Sequence, residues 1–455
     1  MLSAMDVTQH YLGCLSQASY TVSSQGDAAV IDPRRDVEEY LSFAREKGLR
    51  IRYVIETHLH ADFVSGHAEL AERSGAEVVF CWRAEVGFPH RAVKDGDELP
   101  LGGARLRVLE TPGHTPESLC LLAMVGGEPR YLFTGDTLFI GDVGRPDLVG
   151  GSGPGPDEMA GLLYDSLRDK ILPLPGSVRV YPAHGAGSLC GRNMSKETSA
   201  TLEDQKAGNW ALQPQSRETF VRELVKDLPE VPRHFARDVA LNRQGARALA
   251  AIGRPRHLAL PEAHGLVAQG AILLDVRSPE AFGETHPAGA IHIALGGQFA
   301  AWAGCLLEPG RSVILVVEEE EEAAEAVMRL ARVGLENVQG YTVPGDWTGD
   351  AAARLAPMSV DELRDHLGSL TVVDVRRLGE FKSGHVPGAR NVPLDRLPDL
   401  LPTLEASRAT AVICAGGYRS SVAGSLLQRA GFGDLRNVVG GTSAWVAAGG
   451  PTELG

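Results

Sequence analysis

The stretch IETHLHADFVSGH, Ile55 to His67, decides how the first half of the chain is read. His58, His60 and Asp62 alternate along it, and imidazole with carboxylate is what a first-row metal asks of a protein. The next position, where a second metal would need another histidine, holds Phe63. An apolar ring cannot ligate. Whether the site holds two metals or one therefore turns on this residue, and with it the choice between hydrolysis and oxidation.

Moving outward, the same pattern recurs through residues 1 to about 205: a short β-like run ends and polar ligand-type residues follow. DAAVIDP is a strand meeting Asp-Pro, IRYVIE precedes THLHAD, ARLRVLE precedes TPGHTPES, RYLFT precedes GDTLF, and SVRVY precedes PAHGAG. Helical patterns such as DVEEYLSFAREKG lie between some of them. This predicts an α/β or α+β layered domain with its chemistry on strand-end loops. A single loop histidine is ordinarily solvated or capping. Here His58, His60, Asp62, His114, Asp136 and His184 each come just after a predicted strand, and six together read as a metal site.

The bulk numbers set the frame. At 455 residues, two to four domains are expected. A net charge of -14 argues against nucleic acid and against anionic membrane surfaces. The opening MLSAMDVTQHYLGCLSQ lacks a basic region and an apolar core, so no signal peptide is expected. The uncharged run Ala288–Leu307 is rich in Gly and small residues and falls inside a repeat, which speaks against a membrane span. The expected location is the cytoplasm, with the six dispersed cysteines reduced.

The ordered series THxHxD, GH, GD and H resembles the metallo-β-lactamase superfamily over about residues 10–240. Hydrolytic members commonly bind two metals, with His following Asp where this chain has Phe63. GDVGRPDL (Gly141–Leu148) resembles the segment after the Asp ligand in the persulfide dioxygenases of that superfamily. The resemblance implies an αββα sandwich and one Fe(II) per chain on His58, His114 and Asp136. His60, Asp62 and His184 then lie behind the ligands. Two histidines and a carboxylate with open positions suit non-haem Fe(II) and dioxygen. Arg145, Cys190 and Arg192 lie in the adjoining loops and are candidates for substrate binding or sulfur relay.

From Asn209 to about Arg256 the chain reads as helical and then irregular, punctuated by Pro229, Pro232 and Pro255, with a linker near 245–257. An internal repeat follows. LLDVRSPEAFGETHPAGAIHIAL (Leu273–Leu295) aligns without a gap to VVDVRRLGEFKSGHVPGARNVPL (Val372–Leu394). A repeat of about a hundred residues is a whole domain rather than a solenoid unit. The expected division is 1–245 for the metal domain, 258–350 for the first copy and 357–455 for the second. Each copy should be α/β with a parallel sheet.

In the second copy AVICAGGYRSSVAGSLLQRAG runs from a strand into a helix with Cys414 at the junction. Ala415, Gly416, Gly417, Tyr418 and Ser420 can turn backbone N–H groups inward. The helix dipole and Arg419 add positive potential, and all of these stabilise an anion on sulfur. CAGGYRS resembles the active loop of rhodaneses, shorter by one residue than that of the related phosphatases. In the first copy SVILVV runs into EEEEEAAEAV, with neither cysteine nor arginine near Val317 or Glu318, and Cys305 precedes the strand. That copy is expected to be inactive.

These readings converge on an iron persulfide dioxygenase fused to an inactive and an active rhodanese. It would act on a small thiol persulfide, O2, sulfite and thiosulfate, and by analogy with superfamily relatives it is expected to form a homo-oligomer. Two alternatives stay open. One is a zinc thioester hydrolase of glyoxalase II type; the other is a sulfur carrier or sensor with an inert metal domain.

Overall fold

The computed structural model describes residues 5–148 and 153–455. The first four residues of the opening stretch read for a leader lie outside the described residues. The chain divides into two compact units, one running to Gly253 (with Ala331–Gly334 grouped with it) and one from Arg254 onward.

The first unit has two six-stranded sheets. One contains Asp6–Leu12, Gln17–Ser24, Asp27–Ile31, Arg50–Ile55, Glu77–Cys81 and Arg91–Val93 in that spatial order. The other runs Ala200–Thr201, Arg179–Pro182, Glu128–Gly135, Leu119–Val125, Ala104–Glu110, Glu98–Leu101. Period-two alternation explains the layering. Ala29, Ile31, Tyr53 and Ile55 share one buried cluster with Leu119, Leu121 and Phe133, which joins the two sheets. Their neighbours Val30 and Val54 face the other way, onto Tyr40 and Ala44 of the helix Glu38–Lys47. Cys120, Leu122 and Leu132 likewise face Leu163 and Phe220, from the helices Pro156–Ser166 and Arg217–Val225. The order of layers is helix, sheet, sheet, helix. A further helix, Phe235–Gln244, forms where the sequence reads as irregular. The prolines at 229 and 232 stop short of it.

The second unit holds both repeat copies. The first copy's sheet orders Ile291–His292, Ile272–Asp275, Val313–Val316 and Val338–Thr342, all parallel. The second orders Ala356–Met358, Leu435–Val438, Thr410–Ile413, Thr371–Asp374 and Arg390–Asn391, also parallel. Asp275 pairs with Val316 in one and Asp374 with Ile413 in the other, so Val317 stands where the second copy has Cys414. The glutamate run opens the helix Glu320–Ala331, where acids favour the positive end of the dipole.

Candidate metal centre and cysteine loop

Each metal-type residue sits just past the C-terminal end of a central strand. His58, His60 and Asp62 follow Arg50–Ile55, His114 follows Ala104–Glu110, Asp136 follows Glu128–Gly135, and His184 follows Arg179–Pro182. The fold brings His58, His114 and Asp136 together, with one ligand atom from each within 4.8 Å of the others and all three side chains buried. Asp136 Oδ2 lies 3.4 Å from His114 Nε2 and 3.9 Å from His58 Nε2.

The hydrogen bonds behind these atoms fix their roles. Thr57 Oγ1 donates to Asp32 Oδ2 at 2.9 Å, so it accepts from His58 Nδ1–H at 3.0 Å. His114 Nδ1–H donates to the Arg145 carbonyl at 2.8 Å. Both rings therefore present a bare Nε2 to the cluster. His184 Nδ1–H donates to Asp136 Oδ1 at 2.8 Å, leaving Oδ2 free. His58 Nε2 and Asp136 Oδ2 are buried with no hydrogen-bond partner among the described residues. Burying such atoms without partners is costly, and a cation between them removes the cost. The residues present fit a metal ion. Burial alone would raise the Asp136 carboxyl, but His184, His58 and His114 outweigh it and hold it far below the usual carboxylate range. GDVGRPDL earns its place here: a Cβ on Gly144 would meet the Asp136 carbonyl at 2.1 Å and His114 Nδ1 at 2.9 Å, so only glycine lets the segment pass.

His60 turns away from this cluster. Its Nε2 lies 3.1 Å from Asp32 Oδ1 and 3.3 Å from Glu56 Oε2, and His67 Nδ1 reaches Glu56 Oε1 at 3.0 Å. Burial would lower His60, yet Asp32 and Glu56 carry it up to about 10. The His60 ring centroid lies 4.1 Å from that of His58, with the two rings tilted 52° to each other. Phe63 is fully buried and packs 4.4 Å from the His60 ring. Asn242, on the helix Phe235–Gln244, holds the loop from behind: Nδ2 donates to the His60 and Phe63 carbonyls at 2.8 Å each, and Oδ1 accepts from Ser65 N at 2.7 Å. Sequence reasoning missed Asp32, Glu56, His67 and Asn242. The first three carry a signal, standing in or beside the quoted strand ends. Asn242 carries none.

Asp62, His184 and Cys190 form a second buried group. His184 Nε2 lies 2.9 Å from Asp62 Oδ2. Burial first, then Asp62 and Asp136, push the Cys190 thiol well above its ordinary range, so it is a protonated thiol here. Arg145 and Arg192, the candidates for substrate binding, both have partners within the protein. Arg145 is buried and its guanidinium is spent on Asp147, at 2.7 Å, and on the Leu189 and Pro229 carbonyls. Arg192 donates to the Lys226 and Glu223 carbonyls at the end of Arg217–Val225. Helix ends leave carbonyls that cations satisfy, and Arg192 does that work.

In the second copy Cys414 follows the strand Thr410–Ile413 and is buried. Gly417 N–H donates to its Sγ at 3.1 Å. Gly417 has φ 106°, a left-handed conformation that suits glycine, and from it the helix Tyr418–Arg429 starts. The Cys414 and Ala415 carbonyls accept from Thr442 and Ser443 N–H at 2.8 and 3.1 Å, and Ser420 Oγ donates to the Gly417 carbonyl at 3.1 Å. Gly416 completes the turn, and Tyr418 Oη donates to the Ala294 carbonyl at 2.9 Å. Arg419 does not aim a bare charge at the sulfur. It pairs with both oxygens of Glu380 at 2.7 Å, and this contact first, against burial, holds Glu380 below the usual carboxylate range. Glu380 is a further residue that motif reading did not single out. In the gapless alignment the first copy has Ala281 there, so it lacks the whole trio of Cys, Arg and Glu.

These features define a metal-binding domain of metallo-β-lactamase type followed by rhodanese-like domains, and comparison with known proteins agrees. The family model of the Metallo-beta-lactamase superfamily matches residues 12–184, and that of the Rhodanese-like domain matches 260–348 and 359–448. The hydroxyacylglutathione hydrolase of Polaromonas sp. (strain JS666) is 31% identical over 234 residues, covering 46% of this chain and 85% of that protein. The mitochondrial persulfide dioxygenase ETHE1 of Bos taurus is 32% identical over 211 residues, covering 45% and 74%. A solved structure of a metallo-beta-lactamase from Staphylococcus aureus subsp. aureus COL matches with a TM-score of 0.67 and 32% identity, covering 75% of this chain and 99% of that one. The chain belongs to the metallo-β-lactamase superfamily and carries two rhodanese-like domains after that domain.

Proposed function

We propose that the chain is a non-haem iron persulfide dioxygenase coupled to a rhodanese sulfurtransferase, serving sulfide detoxification. The observation that carries the reading is the three-ligand cluster of His58, His114 and Asp136 beside an apolar Phe63. The fused Cys414 loop supports it from the sulfur side. A ferrous ion on the three ligands would supply a centre where persulfide sulfur and dioxygen meet. The protein's part is orientation. The Arg145 carbonyl and Thr57 hold two imidazoles with bare Nε2 atoms, and His184 holds Asp136 by one oxygen while the other stays free. The overall change consumes one persulfide anion, one O2 and one water, and releases sulfite, a free thiol and a proton. At the second site the Cys414 persulfide passes its outer sulfur to sulfite, giving thiosulfate and the Cys414 thiolate, or the step runs in reverse.

Ala61, Phe139, Leu148 and Phe235 surround Cys190 with apolar side chains. In this reading Cys190 relays sulfur or orients the substrate, so Cys190→Ser should lower turnover while the metal content stays the same. Thioester hydrolysis is the second reading, favoured by the group of Asp62, His184 and Cys190, which could hold another ion. One experiment separates the two. Metal content is measured on the purified chain, and O2 uptake is followed with a thiol persulfide for wild type, His114→Ala and Cys414→Ser. Iron with O2 uptake that is lost in His114→Ala and kept in Cys414→Ser supports the dioxygenase. Two zinc ions with thioester cleavage and no O2 uptake would overturn it.

A further inference from the structure

The inactive first copy raises a question of its own: what is it for? Its loop lacks the chemistry, yet it shares one compact unit with the second copy. The helix Tyr418–Arg429, whose N-terminus faces Cys414, meets the first copy along one stripe. Tyr418 Oη donates to the Ala294 carbonyl at 2.9 Å, and Ser421 Oγ meets His292 Nδ1 at 2.9 Å. Ser425 Oγ accepts from His292 N–H at 3.0 Å, and the Arg429 guanidinium donates to the Gly289 carbonyl. Positions 418, 421, 425 and 429 are spaced three, four and four apart, which is one face of a helix. A stripe of directional polar bonds fixes a helix along its axis and about it, where apolar packing alone would tolerate sliding.

One residue of the first copy departs from the second in a way that fits this task. Asn391 of the second copy donates from Nδ2 to the Asp374 and Arg376 carbonyls at 3.1 and 2.8 Å. The aligned residue in the first copy is His292. Its Nε2–H donates to the Arg277 carbonyl at 3.0 Å, which repeats the internal task. The ring then has Nδ1 left over as an acceptor, and Ser421 uses it. Burial first holds His292 down to about 4, so the ring is neutral at ordinary pH and Nδ1 keeps its lone pair.

We propose that the inactive copy is the positioning element of the sulfur-transfer loop, with His292 and the Ala294 carbonyl holding the helix Tyr418–Arg429 so that the Gly417 N–H and the helix N-terminus bear on the sulfur of Cys414. The inference rests on the reading of Cys414 as the sulfur acceptor. The step it affects is balanced: the Cys414 thiolate attacks the outer sulfur of thiosulfate, that sulfur's bond to the sulfonate breaks, and sulfite leaves with the electron pair. The product is a persulfide anion. A helix held in register stabilises that anion more than a loose one does.

The test uses the full chain. Intact mass is read over a range of thiosulfate-to-sulfite ratios to obtain the ratio at which half of the protein carries one added sulfur. His292→Asn restores the second copy's residue, and Tyr418→Phe removes a single hydroxyl, so at least one of the two is expected to fold. Each should move the half-loading ratio upward by about fivefold, the scale of one net hydrogen bond, and lower kcat for sulfur transfer to cyanide with KM little changed. A variant with a merely structural defect would lose folded protein without moving this equilibrium. Half-loading ratios equal to wild type in the folded variants would overturn the proposal, provided Cys414→Ser takes up no sulfur. Sulfur uptake that persists in Cys414→Ser would instead overturn the reading of Cys414 itself.

Discussion

Asp136 is the residue on which the candidate metal centre turns, because its two oxygens have different partners. Oδ1 accepts from His184 and Oδ2 faces His58 and His114. Removing the outer partner frees the carboxylate to rotate, and such supports commonly change metal affinity by about 10–100-fold. His184→Ala should weaken metal retention on that scale, read by competition with a chelator, while the fold stays intact. At this scale the sequence showed the candidates without ranking them. His58 and His60 are two apart on one loop and look alike in a string of letters. The difference is that Asp32 and Glu56 wait for His60, and only folding brings Asp32 beside it.

Among elements, the loop that bears His58 to His67 depends on a helix distant in sequence. Asn242 makes three hydrogen bonds to it from Phe235–Gln244. Asn242→Ala leaves two buried carbonyls and one N–H without their partners, a loss of about 2–4 kcal/mol at roughly 1 kcal/mol each. The expected outcome is a lower denaturation midpoint and faster release of metal to a chelator, both measured on the same preparation. The strands ahead of each ligand were legible because β-branched runs ended in polar punctuation. The helix carrying Asn242 was not, since prolines ahead of it read as irregular chain and its packing face has no partner until the sheets exist.

For the molecule as a whole, the sequence predicts three domains, while contact divides the chain into two units with both repeat copies in one. The repeat itself was plain in DVR and the spaced Phe, His and Gly. That the copies meet through buried serines and His292 was not, because the two copies differ at His292 (Asn391 in the second copy) and the serines lie outside the repeated stretch. This contact carries a pH signature. Burial first lowers His292 from 6.5 to about 4, and Asp275 only partly offsets it. Between those values the unfolded chain binds a proton that the folded chain refuses. Stability is therefore unaffected by this group above pH 6.5, declines as pH falls from 6.5 to 4, and declines no further below. The full effect is on the order of 3 kcal/mol. Denaturant unfolding at neutral pH and near pH 4.5 should show a smaller loss in His292→Asn than in wild type.

What the sequence determined by itself was everything that depends on local order: strand ends followed by ligand-type residues, a loop from Cys414 to Arg419 between strand and helix, and a duplicated domain with one loop emptied of its chemistry. These are properties of neighbours along the chain, and backbone periodicity makes them visible. Tertiary structure alone decided which imidazoles face a common point, that the Arg145 and Arg192 guanidiniums meet backbone carbonyls, that Arg419 is paired with Glu380, and that His292 of the first copy meets Ser421 on the helix after Cys414. Each of these depends on where a lone pair or a charge finds its partner, and partners far apart in sequence meet only when the sheets and helices have packed.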